Sequence, residues 1–134
     1  MTQNPSFVLS EDKKKLQEIL AATFDLTNKQ AKLLVRIVFQ KNQICCLNYL
    51  TETMRAGRST LQKYIKVLLD KGLVKREAKT LAEFEEICKN QNREHQYKTT
   101  KGYLYVYTAI KKEKLLKMAE DKWNSWREQL DLLL

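Results

Sequence analysis

Glycine, proline and histidine are scarce in this chain, whose 134 residues include three Gly, one Pro and a single His. So few breakers suit a chain rich in helix. With one histidine and three glycines, most catalytic templates cannot be assembled. The sequence holds no phosphate-cradling glycine loop, no paired His/Cys/Asp constellation and no nucleophile elbow, so no enzymatic activity is expected. His95 stands alone in a polar stretch, seven residues from Cys88, and reads as a surface side chain, not a metal ligand. No metal or cofactor is implied.

Long apolar runs are missing too. None approaches the roughly 20 residues of a membrane span. The first residues, MTQNPSFVLSEDKKK, lack a basic end followed by an apolar signal core. A cytoplasmic protein with no membrane partner is expected. Cys45, Cys46 and Cys88 are odd in number, and neighbouring cysteines rarely bridge each other, so they read as reduced thiols. The Cys45-Cys46 pair is either ordinary packing or a redox switch.

What the chain has in excess is positive charge. Lys and Arg number 25 against 16 Asp and Glu, a formal charge of +9. Met1 to Met54 carry a net +2, Thr80 to Ile110 are balanced, and Lys111 to Leu134 carry +1. Arg55 to Lys79 alone carry +6, two-thirds of the excess. A solvation layer would be dispersed; this concentration reads as a footprint for a polyanion, whose counterions Lys and Arg release on binding.

The hydrophobic pattern places elements around that footprint. Ser10 caps an expected helix to about Thr23, with Leu16, Ile19 and Leu20 on one face. Thr27 and Gln30 fit a capping box, after which Ala31, Leu34, Val35, Val38 and Phe39 mark an amphipathic helix ending near Lys41. Ile44 and Cys45 suit a very short strand. A short helix with Leu47, Leu50 and Met54 inward is separated by Arg55-Ala56-Gly57 from a second one starting near Arg58. There Leu61, Ile65 and Leu68 form a buried stripe, and Gly72 with Leu73 suits a left-handed helix end. Leu73 to Lys79 read as a strand. GYLYVYTAI, with Tyr103, Tyr105 and Tyr107 alternating with Leu104 and Val106, reads as its partner. Between them, Thr80 and Glu83 suggest a capped short helix, followed by an exposed loop to Gly102.

The segment Leu47 to Glu77, LNYLTETMRAGRSTLQKYIKVLLDKGLVKRE, thus has the organisation of a helix-turn-helix leading into a β-hairpin wing. Arg58 and Gln62 have the donor geometry to read guanine and adenine edges. Ser59, Thr60, Lys63 and Lys66 suit phosphates, and Lys75, Arg76 and Lys79 would lie beside the backbone at the foot of the wing. Arg55 in the turn and Arg93, Lys98 and Lys101 in the loop complete the expected DNA-facing set. RAGRSTLQKYIKVLLDKGLVKRE resembles the winged-helix family of MarR-like and TrmB-like regulators, especially short archaeal ones. LTNKQAKLLVRIVF resembles the helix that precedes the motif in these proteins, and together the two cover about half the chain. The resemblance implies a transcriptional regulator; the long insertion at Thr80 to Gly102 departs from the family's short hairpin.

From Lys111 onward a long helix is expected. Leu116, Ala119, Trp123, Trp126, Leu130 and Leu133 are spaced 3, 4, 3, 4, 3, an a/d seam that needs a partner helix. The expected fold is α+β, mainly α: a winged helix-turn-helix domain over 1–110 and a dimerisation helix over 111–134. Its expected partners are double-stranded DNA and a second copy of itself, with a small-molecule or redox effector left open. Two rivals remain: a protein-interaction subunit of a larger assembly, and a single-strand or RNA binder using the tyrosine strand.

Overall fold

In a computed structural model, the structure describes residues 10–40, 44–90 and 104–134. The elements run α1 (Ser10–Phe24), α2 (Asn28–Val38), β1 (Ile44–Cys46), α3 (Leu47–Met54), α4 (Arg58–Asp70), β2 (Val74–Lys79), α5 (Leu81–Asn90), β3 (Leu104–Ala109) and α6 (Lys112–Leu133). The described architecture is mainly helical with a small antiparallel sheet.

Local chemistry sets several of these boundaries. Thr27 and Gln30 form the expected capping box: the Gln30 amide N–H donates to Thr27 Oγ1 (3.2 Å) and the Thr27 N–H to Gln30 Oε1 (3.0 Å). Each bond satisfies a backbone donor that the first helical turn leaves without a partner. α4 ends in a Schellman motif at Gly72, φ +73°. The Leu73 N–H donates to Leu68 O (3.0 Å) and the Gly72 N–H to Leu69 O (3.0 Å). α2 stops at Val38, short of the expected Lys41. Gln40 donates its backbone N–H to Ile37 O, a tightened last turn, and its side-chain amide to the Tyr49 hydroxyl of α3 (3.0 Å).

The core forms around α2. Leu33, Leu34 and Ile37 are fully buried, and the helix packs on α1, α4, β1 and β3. The single stripe of Ala31, Leu34, Val35, Val38 and Phe39 therefore understates it: Leu33 and Ile37 are inside as well, while Val38 and Phe39 are only half-buried. A helix with neighbours on several sides buries more than one stripe. On α1 the core-facing strip runs at spacings of four through half-buried Leu16 to buried Leu20 and Phe24. Ile19 lies one position off that strip and is exposed, a correction to the expected inward face.

The sheet has the order β1-β3-β2, both outer strands antiparallel to β3. β2 and β3 pair from Val74↔Ala109 to Lys79↔Leu104, as the two separated strand patterns suggested. Tyr107, Ala109 and Val74 belong to the main core. Cys46 and Val106 are cross-strand partners buried outside that cluster, as is Phe84 of α5, which packs on β2. The chain between β2 and β3 thus includes the capped helix expected after Thr80. Thr80 and Glu83 make its capping box, with Glu83 N–H to Thr80 Oγ1 at 3.3 Å and Thr80 N–H to Glu83 Oε1 at 3.1 Å.

α6 leans on α1. Ala119 is buried in the core, and Trp123 Nε1 donates to Thr23 Oγ1 (3.1 Å), giving that buried hydroxyl a partner. The first half of the 3,4 seam is therefore partly occupied within the chain. Leu116, Trp126, Leu130 and Leu133 remain exposed. No helix among the described residues is long and apolar enough to cross a membrane.

Candidate nucleic-acid interface

α3 and α4 are joined by the three residues Arg55-Ala56-Gly57. Arg55 closes α3 in the left-handed region (φ 50°, ψ 42°), and Gly57, in extended conformation, leads into α4. The turn lets α4 pack on both α3 and α2. Leu61 and Leu68 are wholly buried and Ile65 nearly so, which pins one face of α4 inward. At 100° per residue the opposite face must then point out. Arg58, Ser59, Thr60, Gln62, Lys63 and Lys66 are all exposed. One solvent-facing helix surface thus carries four charged groups of one sign, two hydroxyls and an amide when Arg55, also exposed, is counted with it.

The strands split the basic residues of the expected wing. Strand alternation puts Arg76 on the face of Val74 and Ala78, opposite Tyr107 and diagonal to Tyr105. Its guanidinium lies over the exposed Tyr105 ring, 4.6 Å from the centroid. Arg58, at the start of α4, also lies near this face: burial pushes the Tyr107 phenol above its ordinary value, and the charges of Arg76 and Arg58 oppose that rise. Arg76 and Tyr105 thus share a sheet face with Tyr107, and Arg58 acts on that phenol from the start of α4. Lys75 and Lys79 alternate to the other face with Glu77, and Lys79 Nζ pairs with Glu77 at 3.1 Å. Part of its charge is spoken for.

The tyrosine pattern divides in the same way. Tyr107 is a core residue and Tyr105 is exposed at the sheet surface; Tyr103 lies outside the described residues. Arg93, Lys98, Lys101 and His95, with the expected loop that holds them, also lie outside. Cys46 is a buried thiol, and the side chains of Cys45 and Cys88 are outside the described set. Among the described residues no group of three or more His, Cys, Asp and Glu is arranged to hold a metal.

Pattern reading missed the pairing of Arg76 with Tyr105. Its signal was present in the register, since residues on one strand face recur every second position, but the register itself is a tertiary fact.

No protein-family profile matches the chain. No curated protein matches it either. The solved structure of a possible transcriptional regulator from Methanosarcina mazei Go1 is similar to it, with a TM-score of 0.65 at 17% identity, covering 88% of this chain and 84% of that one. At that identity the likeness is one of fold.

Proposed function

We propose that this chain is a winged helix-turn-helix regulator, MarR-like or TrmB-like, that binds double-stranded DNA as a homodimer. The observation that carries the reading is α4: a helix held by three buried aliphatic residues, whose outer face presents Arg58, Ser59, Thr60, Gln62, Lys63 and Lys66. In this reading α3 and α4 are the helix-turn-helix, α4 enters the major groove, and β2 with β3 is the wing. Arg58 and Gln62 read bases; Ser59, Thr60, Lys63 and Lys66 hold phosphates. Arg55 and Arg76 extend the phosphate track on either side of the helix start. Lys75, Lys79, Arg93, Lys98 and Lys101 complete the basic wing. The fold shared with a possible transcriptional regulator supports the same direction.

Residues 1–110 would form the DNA-binding domain, and 111–134 the helix through which two copies meet. Two recognition helices would then enter successive major grooves, about 34 Å apart on a pseudo-palindromic site. Selection of bound sequences from a random duplex pool tests binding, symmetry and half-site spacing together. A two-fold consensus is expected. Arg58→Glu with Lys63→Glu should abolish retention of the selected duplex, and the wild-type affinity should fall steeply with salt. A chain that retains no duplex at low salt refutes the reading.

A further inference from the structure

Outside this interface, residues of α1, of α2 with the turn that ends it, and of α3 line a half-open cavity of about 410 Å³, a volume typical of small-molecule sites. Four cations line it: Lys13 and Lys14 from α1, Lys32 and Arg36 from α2. Among the described residues no carboxylate lines it, and none lies within ion-pairing distance of these four. Glu11, Asp12 and Glu18 stand on the same helix as Lys13 and Lys14 but do not reach the cavity. Like charges gathered without counter-charge repel, and the concave wall focuses their field.

The walls are held by contacts that leave most of the charge unspent. Gln17 Nε2 donates to Asn28 O (3.1 Å), tying α1 to the start of α2. The Gln40 amide bond to the Tyr49 hydroxyl ties the end of α2 to α3. Lys13 Nζ sits 5.0 Å from the Phe39 ring centroid, an attraction that keeps the ammonium over the cavity without neutralising it.

We propose that this cavity is a binding site for a small, multiply phosphorylated anion. Four cations of two kinds match several phosphate oxygens, the Arg36 guanidinium offering a planar fork and the lysines point charges. A monocarboxylate would neutralise only a quarter of the charge. None of its lining residues lies on α4, so the proposal does not rest on the DNA reading. A bound anion would bridge α1, against which α6 packs, to α3, which leads into α4.

Calorimetric titration of the full chain with sodium tripolyphosphate, pyrophosphate, orthophosphate and acetate tests this. Affinity should rise with charge, tripolyphosphate binding at least about tenfold tighter than orthophosphate, with acetate giving no heat of binding. Lys32→Ala with Arg36→Ala, and separately Lys13→Ala with Lys14→Ala, should each weaken tripolyphosphate by about tenfold or more. These side chains are exposed or half-exposed, and unchanged circular dichroism and melting show that the variants fold. Arg58→Ala with Lys63→Ala should change the same affinity less than about twofold. Absence of tripolyphosphate binding overturns the proposal. So does equal loss in the Arg58/Lys63 pair, which assigns the binding to net charge. If Lys32→Ala with Arg36→Ala weakens a duplex as much as it weakens tripolyphosphate, the cavity is a backbone contact for DNA and the proposal fails.

Discussion

Arg55 closes α3 with its backbone at φ 50°, where an L side chain crowds the following carbonyl. Glycine adopts that conformation without the clash, and its greater freedom in the unfolded chain returns only part of the gain. Arg55→Gly should therefore stabilise the fold by about 0.5 kcal/mol in urea unfolding. The same substitution should weaken duplex binding, because it removes a cation at the start of the α4 face. A gain in stability with a loss of affinity is the signature of a strained residue kept for contact; a gain with unchanged affinity removes Arg55 from the interface. Asp25 adopts a similar angle, φ 55°, but a short polar side chain tolerates it better. Neither positive angle is visible in the sequence, where only Gly72 advertised one.

At the scale of the element, α5 depends on its first turn. Bonds from the Thr80 backbone N–H and from its hydroxyl hold the Glu83 carboxyl below the usual carboxylate range, with Lys79 adding a smaller pull. The sign follows from linkage. A carboxyl whose folded value is depressed contributes stability above its unfolded value, and that contribution is lost as pH falls through the folded one. Amide exchange in α5 should accelerate relative to α2 as pH drops below about 4.3, after correction for the intrinsic rate. Glu83→Gln keeps an acceptor but removes the charge and should flatten that dependence. If α5 and α2 respond alike in the wild type, Glu83 is not what holds the helix start. This element was legible in advance because a capping box is a pattern of i and i+3, settled by neighbours in the chain. Its packing on β2 was not, because that depends on where β3 puts the sheet.

On the scale of the molecule, α6 raises the question of a second copy. It is about 33 Å long, yet the residues after Lys122 are all exposed. Trp126 and Leu130 are 40% and 57% exposed, although apolar groups at seam spacing normally lie against a partner. Trp123 is less diagnostic than its spacing implied, since it bonds Thr23 of its own chain. Trp126→Ala with Leu130→Ala is accordingly the better test: sedimentation equilibrium should show a dimer for the wild type and a monomer for the variant, with the melting of the monomeric fold little changed. A variant that sediments as the wild type does would place the interface elsewhere.

Much of this protein was determined locally. The Thr27–Gln30 and Thr80–Glu83 boxes, the Gly72 helix end and the Leu61, Ile65, Leu68 stripe were readable because each is set by residues within one or two helical turns. The basic outer face of α4 followed, since burying one side of a helix dictates the other. The tertiary structure decided three things. It made α2 a central helix, splitting the expected pattern of one buried stripe. It sorted Arg76 from Lys75 and Lys79 by strand face. And it gathered Lys13, Lys14, Lys32 and Arg36 around one cavity, in a stretch whose net charge is only +2. Charge counted along a chain averages neighbours in sequence; the field that a ligand meets is summed over neighbours in space.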